Sequence, residues 1–469
     1  MVRSKARIAA AAVLFTGWCI ALAISWPGHL SYDSIVQLHD GRAGFYHSWH
    51  PPVMAWLLGL GDWALPGSGL FVIFDITLAF GALLSLLWIV PRPSWLAVGV
   101  AALCVLLPQL VLYQAIVWKD VLFADATVAG FVCLAQAEAR WANAKARFAW
   151  IAGAFVLFAL ASLTRQNGPI VLVVGSLALG VIAARVAGRR FAALLAGAAL
   201  MATAAAVVCA GLLLSLRSDR GEGPVAQLKL LRLYDLTGAV AADPSLPLVR
   251  LADDAPQFEK LIRTDGVRLY SPQRNDTLVG SQALQNELSD ASPELMAAQW
   301  YDLVLHHPWL YLKVRANVFR WVVLTPDIAA CRPVFVGVEG PAGEMADLGL
   351  APRQRPRDLA LGNYAKAFMG TPVFSHLAFA ITGFAAMILL LRRRRAGDIA
   401  VAFMQIASFA FAASFFAVSI ACDYRYLYVL DLAALTALFY IALDPAYLFQ
   451  VLAMWSLSPW LERSAERKS

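Results

Sequence analysis

The sequence predicts an all-α protein that crosses a membrane about ten times, with a water-exposed domain inserted before the last three spans. Three observations lead there. Hydrophobic residues make up 60% of the 469 and charged residues only 15%, with a mean hydropathy of +0.65, whereas a soluble domain is nearer half apolar and a quarter charged. Apolar runs of about 20 residues, the length that a bilayer requires, recur along most of the chain. Arginine and lysine gather in short clusters between alternate runs, the pattern that orients membrane helices. The net charge of +7 therefore reads as an orientation signal, not as a nucleic-acid surface.

In chain order, Arg3, Lys5 and Arg7 precede an apolar run over Ile8–Trp26. Ala21-Leu22-Ala23 resembles a signal-peptide cleavage site, but the run continues past it, so a retained first span is expected. Val53–Leu65 is too short to cross and is expected to lie along or partly in the membrane. Further spans are expected at Leu70–Val90, Leu96–Leu112, Val121–Ala137, Phe148–Leu163, Ile170–Ala184 and Phe191–Leu216. Residues 217–370 are charged and rich in Pro, Asp and Gln, and read as the water-exposed domain. Within it Pro293–Pro326 is expected to be mostly helical, with an interfacial helix after His307-Pro308, where Trp309, Leu310 and Tyr311 mix with Lys313, Arg315 and Arg320. Thr371–Leu391, Ile399–Ile420 and Leu427–Leu443 complete the set. The chain thus divides into a membrane module over 1–216, an extracytoplasmic domain over 217–370, and C-terminal spans with a tail over 371–469.

Alternation tests this order. With a cytoplasmic N-terminus, the clusters Arg3–Arg7, Arg140–Arg147, Arg185–Arg190, Arg392–Arg395 and the tail residues Arg463, Arg467 and Lys468 all fall inside. The loop at 27–52 and the turns at Lys119-Asp120, Arg165–Asn167 and Asp423–Arg425 all fall outside.

The loop 27–52 is the richest in chemistry, with Asp33, His39, Asp40, His47 and His50. It reads as a short amphipathic helix with Ser31 as N-cap, Asp33 in the first turn and Gly41 as the stop. Asp33, Gln37 and Asp40 share its polar face, and Tyr32, Ile35, Val36 and His39 face lipid or neighbouring helices. The other outer turns each hold an ionisable group at a membrane edge, where charge is costly unless paired, solvated or used. Arg165 and Arg425 suit a phosphate, because a guanidinium forks onto its oxygens. Together these groups point to an outer-leaflet cavity that holds an anionic lipid head group beside a carboxylate.

Plainer readings stand beside these. Asp33 also fits a helix-start carboxylate, Lys119-Asp120 a snorkelling lysine with a helix cap, and Arg165 with Asn167 a C-terminal cap before Gly168-Pro169. Arg425 with its tyrosines fits an aromatic-belt anchor, and His50-Pro51-Pro52 a helix breaker. His29, His39, His47 and His50 lack metal-ligand spacing. Asp75, Asp125 and Asp431, inside apolar runs, fit helix-to-helix hydrogen bonds or a transport path. Cys19, Cys104, Cys133 and Cys209 fall in apolar runs as packing residues. Cys331 and Cys422 share the outer side, where a disulfide is open but not fixed by spacing.

Asp33 after the first span, His50-Pro51 closing the same loop, Trp118-Lys119-Asp120, Thr164-Arg165-Gln166-Asn167-Gly168 and Tyr424-Arg425-Tyr426 resemble the GT-C superfamily of integral-membrane glycosyltransferases, including its protein-mannosyltransferase-like group. The likeness covers the spans and loop order of roughly the first half. It implies a polyprenyl-phosphate-sugar donor, a glycan, lipid or protein acceptor, and an inverting transfer on the periplasmic face of a bacterial inner membrane. It implies that Asp33 and Asp120 are the catalytic carboxylates and that His50, Lys119, Arg165, Asn167, Tyr424 and Arg425 hold the donor. The first loop has no Asp-x-Asp pair, so no metal or other cofactor is expected, and a divalent cation has no support. The alternative is a transporter or flippase of a lipid-linked or anionic solute, for which an internal repeat with Gly/Pro-broken spans in both halves would speak.

Overall fold

The computed structural model describes residues 5–219 and 222–450. Arg3 and the tail residues Arg463, Arg467 and Lys468 lie outside the described residues. The protein is an all-α, multi-pass membrane protein, and extended backbone among the described residues is limited to isolated bridges. Nine helices among the described residues are long and apolar enough to cross a membrane, and a tenth if one bent pair is a single span.

The first half runs α1 (Lys5–Ser25), α2 (Tyr32–Ala43), α3 (Val53–Ala64), α4 (Gly69–Leu86), α5 (Trp95–Leu106), α6 (Pro108–Val111), α7 (Lys119–Ala139), α8 (Ala144–Thr164), α9 (Pro169–Ala187) and α10 (Arg189–Ser215). The straight span expected at Leu96–Leu112 is instead bent by 65° between α5 and the short stretch from Pro108 to Ala115. Pro108 has no N–H to give and disfavours helical backbone at Leu107, which is extended at ψ 143°. The bend returns Tyr113–Trp118 toward α1.

The second half holds α11 (Glu222–Ala242), the short helices α12 to α16 within 249–290, α17 (Pro293–His306), α18 (Pro308–Leu324), α19 (Ala342–Asp347), α20 (Pro356–Lys366), α21 (His376–Arg393), α22 (Asp398–Val418) and α23 (Tyr428–Leu443). Two apolar cores divide the chain. The larger joins the membrane helices and extends into Val322, Val338, Met345 and Leu361. The smaller is built by Leu233, Tyr234, Phe258, Leu284, Met296, Leu303 and Val318. Arg315 on α18 is fully buried, not on a solvated interfacial face, and it joins the two parts. It pairs with Asp235 at 2.8 Å and donates to the carbonyls of Phe416 at 2.7 Å and Ser419 at 2.8 Å beyond the end of α22.

Helix ends sort into two groups. Arg7 of α1 donates to the Val90 carbonyl after α4 at 2.7 Å, Ser94 before α5 donates to the Ala442 carbonyl of α23, and Arg185 of α9 reaches Glu138 of α7 and the Arg394 carbonyl after α21. The basic clusters at Arg140, Arg185 and Arg393 therefore share one end. At the other end, the segment after α1 is laced between two strands of loop. His29 N–H donates to the Ala115 carbonyl, the His29 carbonyl accepts from Val117, and Leu30 exchanges bonds with Gly337 and Glu339.

This lacing fixes α2. Ser31 is its N-cap, and the Ser34 hydroxyl accepts from the Ser31 N–H at 3.1 Å, satisfying a donor left free at a helix start. Gly41 does not end α2, contrary to the sequence expectation. The helix continues to Ala43 and stops at Gly44, whose φ of 67° is left-handed. Gly41 instead lets α2 touch α3 backbone to backbone: a Cβ there would lie 2.2 Å from the Ala55 carbonyl oxygen and 2.7 Å from the Gly59 nitrogen. Arg42 closes the same contact by forking onto Asp62 at 2.8 and 2.7 Å. On α3, Trp56, Leu60 and Trp63 form an exposed stripe, suited to a membrane interface.

Gly41→Ala should destabilise the protein by about 3 kcal/mol, the upper end for overpacking, because the clash is with backbone. Gly44→Ala, which meets nothing within 4 Å, should cost about 1 kcal/mol for its left-handed backbone. Thermal unfolding of both variants in detergent measures the difference, and equal melting points would contradict the close crossing.

Candidate functional site

Asp33 is placed by the first turn of α2. Trp118 Nε1 donates to the Ser31 hydroxyl at 2.9 Å, and the Ser34 hydroxyl donates to the Val117 carbonyl at 2.6 Å. These two bonds set the start of α2 beside the start of α7, where Lys119 and Asp120 follow. Arg425 arrives from a turn 392 residues away and donates to Asp33 Oδ2 at 2.6 Å. Its Nε lies 3.7 Å from Asp120 Oδ2 and its Nη2 3.3 Å from Asp423 Oδ2. Arg165, just beyond α8, contacts Asp120 directly and lies over the Tyr426 ring at 5.3 Å, while Arg425 lies over Trp118 at 5.0 Å. These aromatic faces attract the cations and exclude water from them.

Lys119 Nζ lies 2.9 Å from His50 Nδ1. The other ring nitrogen, Nε2, faces Asp33 Oδ1 at 3.7 Å; a carboxylate only accepts, so the ring proton sits on Nε2 and Nδ1 accepts from Lys119. Burial and then the Lys119 charge push the His50 pKa down to about 4. His50 is therefore neutral at pH 7, and any hold on an anion comes through its Nε2–H, not through charge. Burial alone would raise the Asp33 carboxyl, but Arg425, then His50 and Lys119, hold it well below the usual carboxylate range.

Six of the eight residues singled out from the sequence thus meet: Asp33, Asp120, His50, Lys119, Arg165 and Arg425. Two do not. Asn167 Nδ2 donates to the Ser414 hydroxyl of α22 at 2.7 Å, so its amide is committed to helix pairing. Tyr424 is fully buried beneath the cluster, where its hydroxyl donates to Asp431 at 2.7 Å and its ring stacks on His376 at 3.9 Å. Asp120 is 2% exposed, and it orients two guanidinium groups from behind.

Sequence reasoning missed two members. Asp423 accepts from Arg425 and from Arg274, the latter at 2.7 Å. It follows Cys422, which is bonded to Cys331 across 91 residues, so a signal for it lay in the pair of outer cysteines. Arg274 carried no signal. It reaches the site because residues 273–275 pair with 420–422, through Cys422 N–H to the Gln273 carbonyl at 2.8 Å and Asn275 N–H to the Ile420 carbonyl at 3.0 Å.

The remaining acidic and histidine residues have other partners. Asp431 accepts from Tyr424 and pairs with His376 at 2.9 Å. Asp125 accepts from Gln114 at 2.9 Å and faces Asp75, whose two oxygens have no hydrogen-bond donor. His29 accepts from Gly337 N–H, His39 meets Asp347 and His47 meets Asp40. Among the described residues no group of three or more His, Cys, Asp or Glu side chains is arranged to hold a metal ion. In front of Asp33 opens a cavity of about 1080 Å³ between α2, the Trp49 loop and the helices α11, α15 (Asp276–Val279) and α16 (Gln282–Asp290).

No known family profile matches the chain, and no curated protein matches it. Among solved structures it is similar to the oligosaccharyltransferase of the archaeon Archaeoglobus fulgidus. A crystal structure of that protein with Zn and sulfate aligns with a TM-score of 0.42 at 15% identity, over 97% of this chain and 51% of that one. A complex of the same archaeal enzyme, AglB, with an inhibitory peptide and a dolichol-phosphate gives 0.43 at 15% identity, over 94% and 51%. The chain spans about half the length of these neighbours.

The Asp33–Arg425 pair has a definite pH signature. A carboxyl whose folded pKa is depressed stabilises the fold above its unfolded value near 4, and that contribution is lost as pH falls through the folded value. The melting point of wild type should therefore exceed that of Asp33→Asn by a constant margin from pH 5 to 8. The margin should shrink below about pH 4. A margin that widens on acidification would contradict the pairing.

Proposed function

We propose that this chain is an inverting glycosyltransferase of a bacterial inner membrane, with both termini in the cytoplasm. It moves a hexosyl or pentosyl group from a polyprenyl-phosphate donor to a glycan, lipid or protein acceptor on the periplasmic face. Residues 1–216 form the donor-handling membrane module, 217–370 the extracytoplasmic domain and 371–469 the closing spans with the tail. One observation carries this reading: a partly exposed carboxylate, Asp33, shares a network with Arg425, Arg165 and Lys119 at the end of the spans opposite the arginine clusters, and it opens onto a cavity of about 1080 Å³.

The chemistry divides between the two signs of charge. The acceptor hydroxyl gives its proton to an Asp33 oxygen as its own oxygen bonds to the anomeric carbon. The bond from that carbon to the donor phosphate breaks, and its electron pair leaves on the phosphate oxygen. Arg425, with Arg165 and Lys119 behind it, compensates the charge that grows there. A single displacement inverts the anomeric centre. His50 donates its Nε2–H toward Asp33 or an incoming phosphate oxygen, and Asp120 and Asp423 keep the guanidinium groups aimed.

The Asp75–Asp125 pair favours a second reading as a transporter or flippase, since paired acidic groups inside spans are a usual currency of transport. That reading requires movement of a lipid-linked or anionic solute across proteoliposomes, and its loss in Asp75→Asn.

In proteoliposomes supplied with a polyprenyl-phosphate sugar, Asp33→Asn should lower transfer by about 100-fold or more while the protein, though its melting point is lower, stays folded at the assay temperature. Arg425→Ala should raise the apparent KM for the donor. Full activity in Asp33→Asn removes the base, and an unchanged donor KM in Arg425→Ala removes the phosphate contact.

A further inference from the structure

We propose that the cavity in front of Asp33 is a carbohydrate subsite, so that the acceptor is a saccharide and not a peptide or a bare lipid. The inference rests on the transferase reading for its word acceptor, but the cavity's chemistry stands by itself. Two aromatic side chains, Tyr32 and Trp49, line it and are 64% and 42% exposed. A sugar ring has C–H faces and a rim of hydroxyls. The faces settle on the negative face of an aromatic ring, and the rim needs hydrogen-bonding groups around it.

Those groups are present on the opposite wall. Asn275 and Gln285 contribute amides, each able to donate and accept, as a hydroxyl rim requires. Lys229 Nζ spends one of its three donors on the Ser289 carbonyl at 3.0 Å. Asp276, held by Arg274 at 3.1 Å and Arg332 at 2.9 Å, supplies a fixed acceptor. Charge in the cavity is mixed, with Asp33 and Asp276 set against Lys229, so the cavity suits a polyhydroxylated ligand and not a strongly charged one. Its volume of about 1080 Å³ lies just above the roughly 300–1,000 Å³ range of small-molecule sites, enough for an oligosaccharide end.

The walls also explain a direction. Tyr32, Trp49 and Asp33 line the same cavity, so a ring stacked on either aromatic lies in the space onto which the Asp33 carboxylate opens. The far wall, with Asn275, Asp276 and Gln285, belongs wholly to the outer segment. Residue choice at Gln285 and Lys229 therefore selects which saccharide enters, without touching the donor-side cations.

The test uses the full-length protein in detergent, without donor, on an array carrying oligosaccharides and peptides. Wild type should bind a subset of the saccharides. Trp49→Ala and Gln285→Ala should each weaken that binding about tenfold, the size of one lost stacking or hydrogen-bonding contact at an interface hot spot, and Trp49→Phe should restore most of the first loss. Gln285 sits on the surface of α16, so its variant keeps the test alive if Trp49→Ala does not fold. Absence of saccharide binding by wild type, binding to peptides alone, or undiminished binding in both alanine variants overturns the subsite. Saccharide binding through this cavity with no sugar transfer from any polyprenyl-phosphate donor would instead remove the transferase reading and leave the subsite standing.

Discussion

The structure is organised by the need to pair charges that water does not reach. Asp120 and Arg165 are buried where α7 begins and α8 ends, and Arg425 lies between Asp33, Asp120 and Asp423. An isolated ion at such depth costs several kcal/mol, so each of these groups is held where it is by the others. Removing one partner strands the rest. The same rule governs Arg315, which is fully buried yet has a carboxylate and two carbonyls around its guanidinium. These two arginine nodes tie the outer segment to the spans more specifically than apolar packing does, because a guanidinium accepts partners only along its fork.

Pairing of this kind demands that distant loops be brought into register, and three devices do so. The segment after α1 is held between residues 115–117 and 337–339 by backbone bonds. The turn before α23 is fastened to residues 273–275 and locked by Cys331–Cys422. The bend at Pro108 lets the third apolar run fold back, so that Trp118 reaches Ser31. Each of these devices fixes one of the loops that carry the groups of the proposed reaction.

The spans were legible because their signal is local: about 20 apolar residues and a cluster of arginines are read without knowing any contact. That these turns share one end of the spans followed from the same signal, and with it the expectation that Asp33, Asp120 and Arg425 meet. What escaped was geometry that depends on a partner. Gly41 reads as a helix stop until Gly59 is placed against it, since glycine serves both a left-handed cap and a close crossing. Asn167 and Tyr424 stood close to site arginines in the chain, but both lie in turns between helices, where successive side chains diverge, and both bond to neighbouring helices. Arg274 comes from a segment far from the site in the chain, brought to it by a backbone bridge to Ala421.

The Asp33–Arg425 pair poses a difficulty for catalysis that also suggests its resolution. A carboxylate held well below its usual range is a poor base, because its affinity for a proton has been spent on the guanidinium. A donor phosphate is a stronger ligand for that same fork than a single carboxylate. In the proposed reaction a seated donor would draw the charge of Arg425 to its phosphate and leave Asp33 in a site whose burial raises its proton affinity. The base is then weak while the site lacks a donor and strong when it holds one. In the proposed reaction that order protects the bound sugar, since proton removal from the acceptor begins only when a leaving group is in place and its cations are already engaged.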